Sequence, residues 1–223
     1  MTKKQKAKLI IEILTQLFPD PKPELNATKD YEFLFAVIMS AQTTDKQVNK
    51  LTDKLFLKYP TLESFANANL EELSINMSSI GLYKQKAKNI ILSANILIQQ
   101  HEGKVPNSLI DISNLHGAGK KTANVVTGDW FGNNQGIAVD THVIRLSNNL
   151  GLTKNKEPLK IEEDLKKLFP QQQWSKMSLR LILYGRYYYP ARKINHEGPL
   201  SHLVTNENKI IKKISPSKTE LSR

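Results

Sequence analysis

Apolar residues recur along the chain at helical spacing, and no segment shows a convincing strand-like alternation. In the opening stretch, MTKKQKAKLIIEILTQLF, Leu9, Ile13, Leu14 and Phe18 fall on one helical face. Glu12 interrupts the apolar run and no small-residue cleavage site follows, so this basic start reads as a folded helix rather than a signal peptide. Pro19, Pro21 and Pro23 break it into a short stiff connector. A deeply buried helix is predicted from Asp30 through Tyr31, Phe33, Leu34, Val37 and Ile38, ending at Ser40-Ala41-Gln42. Thr44 or Asp45 can cap the next helix, which turns Val48, Leu51, Leu55 and Phe56 inward. Short helices around 62–66 and 70–75 precede a longer one from about Lys84 to Gln100, with Ala87, Ile91, Ala94 and Leu97 or Ile98 inward.

The pattern is punctuated at Leu115 to Thr122, LHGAGKKT. GKVPNSLIDISN upstream reads as a short helix with Pro106 near its start, and Thr122, Ala123, Val126 and Trp130 give the next helix its face, ending near Gly132. Between them, Gly117 and Gly119 permit a sharp positive-φ turn, and the amides opening the second helix lack intrahelical acceptors. Such a corner suits a phosphate group. It is not a Walker loop, which would need glycine where Asn114 stands, Ser or Thr where Lys121 stands, and a strand before it. A glycine-containing loop at 132–136 leads to Asp140, a helix carrying Val143, Leu146 and Leu150 ends at Gly151, and further helices lie between Leu159 and Phe169 and between about Gln173 and Tyr188.

Charge and composition narrow the function. Lys and Arg number 32 against 21 Asp and Glu, a net charge of +11, which favours a polyanionic partner. The chain has no cysteine, which excludes disulfides and thiolate metal sites. No apolar run approaches membrane-spanning length, so a soluble, cytoplasmic protein is expected. His196 and His202 lack the companion ligands of a metal site.

The hairpin with Lys120 and Lys121, GNNQGIAVDTHVIRLSNNLGL with Asp140 19 residues beyond Lys121, Gln42 in MSAQTTDKQVN and Leu82 in GLYKQKAKNI together resemble the endonuclease III family of helix-hairpin-helix DNA glycosylases. The resemblance runs from the first helix to near Lys193. It implies a bifunctional enzyme that removes oxidised pyrimidines and cuts the strand through a Schiff base on Lys121, with Lys120 matching the basic residue ahead of it. A free lysine is almost wholly protonated at neutral pH, its reference pKa being about 10.4, and the positive end of a helix dipole disfavours the charged form. Asp140 matches the family carboxylate that assists base departure, and its place before Thr141-His142-Val143 also suits a helix N-cap. Gln42 matches the glutamine that enters the gap left by the extruded nucleotide, and Leu82 the apolar wedge opposite. Leu115, Gly117, Gly119 and Lys120 are expected at the DNA backbone, joined by Arg186, Arg192 and Lys193. His142 reads as structural, and Trp130 and Trp174 as core.

Several positions depart from the family pattern. His116 stands where proline is usual, Ala118 where a larger aliphatic residue is usual, and the loop before Asp140 lacks a usual proline. The four cysteines that hold a [4Fe-4S] cluster in most relatives would fall on Tyr189, His196, Pro199 and Thr205. A cluster-free protein is therefore expected, its carboxy-terminal region fastened by apolar packing that uses Tyr187, Tyr188 and Tyr189. The implied fold is all-α, with a helical lobe at 21–132, a second made of 1–20 and 133–205, a DNA-binding cleft between them, and a mobile basic tail at 206–223. The implied partner is duplex DNA carrying damaged bases or abasic sites, bound by a monomer. Two rivals share parts of this pattern: a monofunctional adenine-type mismatch glycosylase, against which Lys121 argues, and a non-catalytic helix-hairpin-helix module, which would need neither Lys121 nor Asp140.

Overall fold

The computed structural model describes residues 1–191 and 198–204. Arg192, Lys193, His196, Thr205 and the 206–223 tail lie outside the described residues. Within them the chain is helical, without strands: α1 Lys3–Leu17, α2 Asp30–Met39, α3 Asp45–Lys58, α4 Leu62–Ala66, α5 Leu70–Asn76, α6 Tyr83–Gln100, α7 Leu109–Ser113, α8 Lys120–Val125, α9 Thr141–Asn149, α10 Pro158–Lys166 and α11 Trp174–Tyr187. They form two compact units, one of Asp20–Ala138 with Pro170–Leu179, the other of Met1–Pro19, Val139–Phe169 and the described residues from Arg180 onward.

The larger unit is built around α2, where every side chain from Tyr31 to Met39 is buried. Glu32 tolerates this because its carboxylate caps its own helix, accepting from the Thr28 amide at 2.9 Å and hydroxyl at 2.8 Å and from the Lys29 amide at 3.2 Å. Phe65 from α4 is the aromatic hub, with ring centroids of Phe35, Tyr59, Phe56 and Tyr31 at 5.1, 5.2, 6.2 and 6.4 Å. Thr44 caps α3 as expected, its hydroxyl accepting from the Gln47 amide. On α6 the inward face is rotated slightly from the one the apolar spacing predicts: Ile90 is fully buried and Ile91 only partly. Pro106 lies outside α7, whose N-cap is Ser108.

Beyond α8 the helix changes type. Val126–Trp130 forms a π-turn, so the face expected to continue to Trp130 holds through Ala123 and Val126 and then shifts register. Trp130 is carried onto Phe33, ring centroids 5.4 Å apart and nearly parallel. In the same turn Gly128 passes so close to Ser175 that a Cβ would stand 2.7 Å from that residue's own Cβ, and Asp129 accepts a short hydrogen bond from the Ser175 hydroxyl. Asn134 completes the seam by accepting from the Ser175 amide at 2.9 Å.

In the smaller unit, α1 buries Ala7, Ile10 and Leu14, while Leu9, Ile13 and Phe18 are only half-buried. Lys6 lays its ammonium against the carbonyls of Leu150 and Leu203 at 3.0 and 3.1 Å, and buried Arg180 donates to those of Phe18 and Pro19 at 3.0 and 3.2 Å. The carboxy-terminal turn is fastened by tyrosines, though not the three expected. Tyr187 is 66% exposed. Tyr184 instead stacks on Tyr188 at 5.3 Å and accepts from the Leu200 amide at 3.0 Å, against a Gly198 that has no room for a Cβ. Tyr189 is buried, its hydroxyl accepting from Asn149 at 2.9 Å and its ring lying 5.2 Å from the Arg145 guanidinium.

Desolvation pushes the Asp129 carboxyl up to about 7, against a smaller downward pull from the Ser175 hydroxyl. Asp20, Lys22 and Lys176 line the same recess. With the folded value raised above the unfolded one, the native state holds a proton that the unfolded chain has released, so rising pH through this window removes stability. The urea midpoint of the native protein should therefore fall between about pH 4 and about pH 7, and Asp129→Asn should flatten that fall.

Candidate active site

The hairpin joins a firmly seated inner side to an open outer one. Ser108 caps α7, the Leu115 amide reaches the Ile112 carbonyl at 3.1 Å, and the Ala118 amide reaches the Leu115 carbonyl at 3.2 Å. The Leu115 and Ala118 side chains are buried, whereas His116, Gly117, Gly119, Lys120 and Lys121 are exposed. The side chain of Leu115, expected at the DNA, is thus part of the core, and the hairpin presents backbone rather than a leucine surface. Ala118 faces inward as well.

The two glycines have different reasons. Gly117 has φ +78, and a Cβ there would meet Asn89 Nδ2 at 2.7 Å. Gly119 has φ −90 and ψ −177, extended backbone open to any residue, and a Cβ added there would meet nothing within 4 Å. It opens α8 with no side-chain cap on the helix amides, and Lys121 stands in the exposed first turn beyond it.

Gln42 and Leu82 share an unusual conformation. Each has φ 57, in the left-handed region that a side chain disfavours by roughly 1–2 kcal/mol, and each is exposed, Leu82 by 61%. The structure brings their two loops together. Gln47 Nε2 donates to the Ser79 carbonyl at 3.3 Å, and Lys86, 4% exposed, sends its ammonium to the carbonyls of Met39 and Ala41 at 2.8 and 2.7 Å and to Thr43 Oγ1 at 3.1 Å. Burial holds the Lys86 ammonium below the ordinary lysine pKa.

One face of α6 links these parts. Leu82 precedes the helix, Lys86 reaches the Gln42 loop, Asn89 lies beneath Gly117, and the Ser93 hydroxyl donates to the His116 carbonyl at 2.9 Å. The spacing of four, three and four residues is one helical stripe. The motifs of the sequence assign Lys86 no role, yet its position carries a signal: it is a lysine in the stripe that continues through Ile90, Ser93 and Leu97.

Asp140 belongs to the smaller unit and is the N-cap of α9, its Oδ1 accepting from the Val143 amide at 2.8 Å. Capping fixes the carboxylate's direction. His142 lies within 3.1 Å of Arg145 Nη2 and packs on Gly185, and Arg145 also donates to the carbonyls of Tyr189 and Gly185. Burial holds the His142 imidazole below its ordinary pKa, opposed by the Asp140 charge and reinforced by Arg145 and Arg186. His142 is thus occupied as a structural link. Among the described residues no group of three His, Asp or Glu side chains is placed to hold a metal ion. Arg192 and Lys193 lie outside the described residues.

A family model described as "HhH-GPD superfamily base excision DNA repair protein" matches residues 35–171. The chain is similar to endonuclease III of Synechocystis sp., 41% identical over 203 residues that cover 91% of this chain and 93% of the relative. It is 42% identical to endonuclease III of Escherichia coli over 186 residues, covering 82% and 88%. A solved non-covalent endonuclease III–DNA complex superposes with TM-score 0.87 at 39% identity, over 95% of this chain and 100% of that one. A trapped covalent endonuclease III–DNA intermediate matches with the same values.

The contrast between the glycines is testable by urea unfolding. Gly117→Ala should cost about 1–3 kcal/mol through its positive φ and the displacement of Asn89, whereas Gly119→Ala should cost less than about 1 kcal/mol.

Proposed function

The chain belongs to the HhH-GPD superfamily of base excision DNA repair proteins, and from that premise we propose how its residues divide the work of a DNA glycosylase and abasic-site lyase of the endonuclease III type. The observation that carries the assignment is Lys121, an exposed amine in the first turn beyond a hairpin whose buried Leu115 and Ala118 hold it in place.

In this reading the neutral Lys121 amine attacks the anomeric carbon of a damaged nucleotide. The carbon–nitrogen bond to the base breaks, the base leaves with the bonding electrons and takes up a proton, and opening of the sugar ring leaves an iminium on Nζ. Loss of a proton from the adjacent sugar carbon then expels the 3′ phosphate by β-elimination. Asp140 supports the positive charge developing on the sugar and relays protons, its direction set by the α9 amide it caps. Gln42 and Leu82 enter the space vacated by the nucleotide. The outward backbone of the hairpin, with Gly119 and Lys120, binds phosphate, as does the basic segment at Arg192 and Lys193. The substrate is duplex DNA with oxidised pyrimidines or abasic sites, and the protein acts as a monomer in the cytoplasm.

The [4Fe-4S] cluster of most relatives does not fit this chain. There is no cysteine anywhere in it, and of the expected ligand positions Tyr189 has its hydroxyl bound by Asn149 while Pro199 has no donor side chain. We therefore assign no cluster, and no step depends on one. Iron analysis of purified protein is expected to show none; a stoichiometric iron content would overturn this.

Borohydride trapping on a duplex with one abasic site, and on one with thymine glycol, tests the mechanism. Native protein and Lys120→Ala should give a covalent adduct, and Lys121→Ala none. Trapping on the thymine glycol duplex would add the glycosylase step. Tight binding without an adduct from native protein would remove the lysine mechanism.

A further inference from the structure

We propose that Lys86 is a positioning residue that holds Gln42 and Leu82 in register as a pair. The proposal rests on the reading that these two side chains fill the gap left by the extruded nucleotide. Its basis is an unusual concentration of constraint on one side chain. A lysine ammonium has three N–H donors, and here there are three acceptors for them: the Met39 carbonyl at the end of α2, the Ala41 carbonyl and the Thr43 hydroxyl. The last two flank Gln42 on either side. Lys86 also donates its backbone amide to the Leu82 carbonyl at 3.0 Å. One residue is therefore bonded to the loop of each inserting side chain, and each of those residues is held at φ 57.

A structural filler at this position would not need to be a cation. Lysines are almost never fully buried unless paired, and Lys86 is 4% exposed at a place where a helix face would otherwise take an apolar residue. Its charge is directed at carbonyls left over at the C-terminus of α2, where cations are favoured. What the charge secures is the backbone carbonyl before Gln42 and the side-chain hydroxyl after it, while Gln42 itself stays exposed. Among these contacts the other tie to the Leu82 side comes from α3, the helix that follows the loop, where the Gln47 side-chain amide donates to the Ser79 carbonyl.

The test separates gap filling from chemistry. An abasic strand without its complement has no base-pair stack to invade, so its Schiff-base trapping reports the lysine chemistry alone. The same strand in a duplex also requires insertion. Lys86→Met should lower the ratio of duplex to single-strand trapping rates by about 10- to 100-fold, the scale that a misplacement near 1 Å produces. Thr43→Val, which removes one acceptor, should lower the same ratio by less. Equal losses on both substrates, or an unchanged ratio in folded Lys86→Met, would overturn the proposal. If Lys86→Met does not fold, an unchanged ratio in Thr43→Val overturns it. Gln42→Ala distinguishes the premise: a lowered ratio there with an unchanged one in Lys86→Met refutes the role of Lys86 alone, whereas an unchanged ratio in Gln42→Ala refutes insertion itself and the proposal with it.

Discussion

The ammonium of Lys86 and the face of α6 that carries it are the constraint on which the larger unit's candidate site depends. Leu82, Lys86, Asn89 and Ser93 occur at intervals of four, three and four, so a straight helix presents them along one line. Each meets a different part of the site: the wedge loop, the glutamine loop, the glycine turn and the hairpin carbonyl. Loops are ordinarily the variable parts of a fold. Here three of them take their positions from a single rigid element of 18 residues.

Local strain and burial are distributed unevenly around this element. Gln42 and Leu82 occupy left-handed backbone without being glycine, which is tolerated only where surrounding bonds over-determine the conformation. Gly117, in a comparable conformation, is relieved by having no side chain. The π-turn contributes a different kind of tension, a carboxyl at Asp129 pushed up to about 7 and satisfied by a serine from another helix. The smaller unit adds polar anchors to its buried apolar side chains: Lys6 and Arg180 reach backbone carbonyls across long sequence separations, and tyrosine rings close the carboxy-terminal turn.

Much of this is legible in the amino-acid order because periodicity and punctuation are local properties. The extent of α2, the Thr44 cap, the hairpin and the Asp140 N-cap all follow from neighbouring residues and their spacing. What is not legible depends on contacts between distant residues. The α1 stripe begins at an alanine, which hydrophobic counting undervalues, and so differs from the face of larger apolar residues. The motif places Leu115 at the DNA backbone but does not tell that its side chain is buried in the turn it begins. The register change at Val126 accompanies a fit of Gly128 and Asp129 against Ser175, which lies 46 residues beyond Asp129. Tyr184 escapes notice beside Tyr187 because only the packed chain distinguishes the inward tyrosine from the exposed one.

The polar anchors of the smaller unit have a consequence for the order in which the chain is made. Helix α1 leaves the ribosome ahead of the other described helices, yet Leu150, Arg180 and Leu203, which hold it and the Phe18 that ends it, come 144, 162 and 197 positions after their partners. At about 5–20 residues per second, the first helix waits on the order of 10–40 seconds for its contacts. Throughout that interval its apolar stripe of Ala7, Ile10 and Leu14 is without the partners it has in the finished protein. The segment from Asp20 to Ala138, by contrast, emerges as one continuous piece that carries nearly all of its own core. Synthesis therefore delivers the glycine hairpin and its supporting helix early, and helix α1, although translated ahead of them, is among the last elements to find its place.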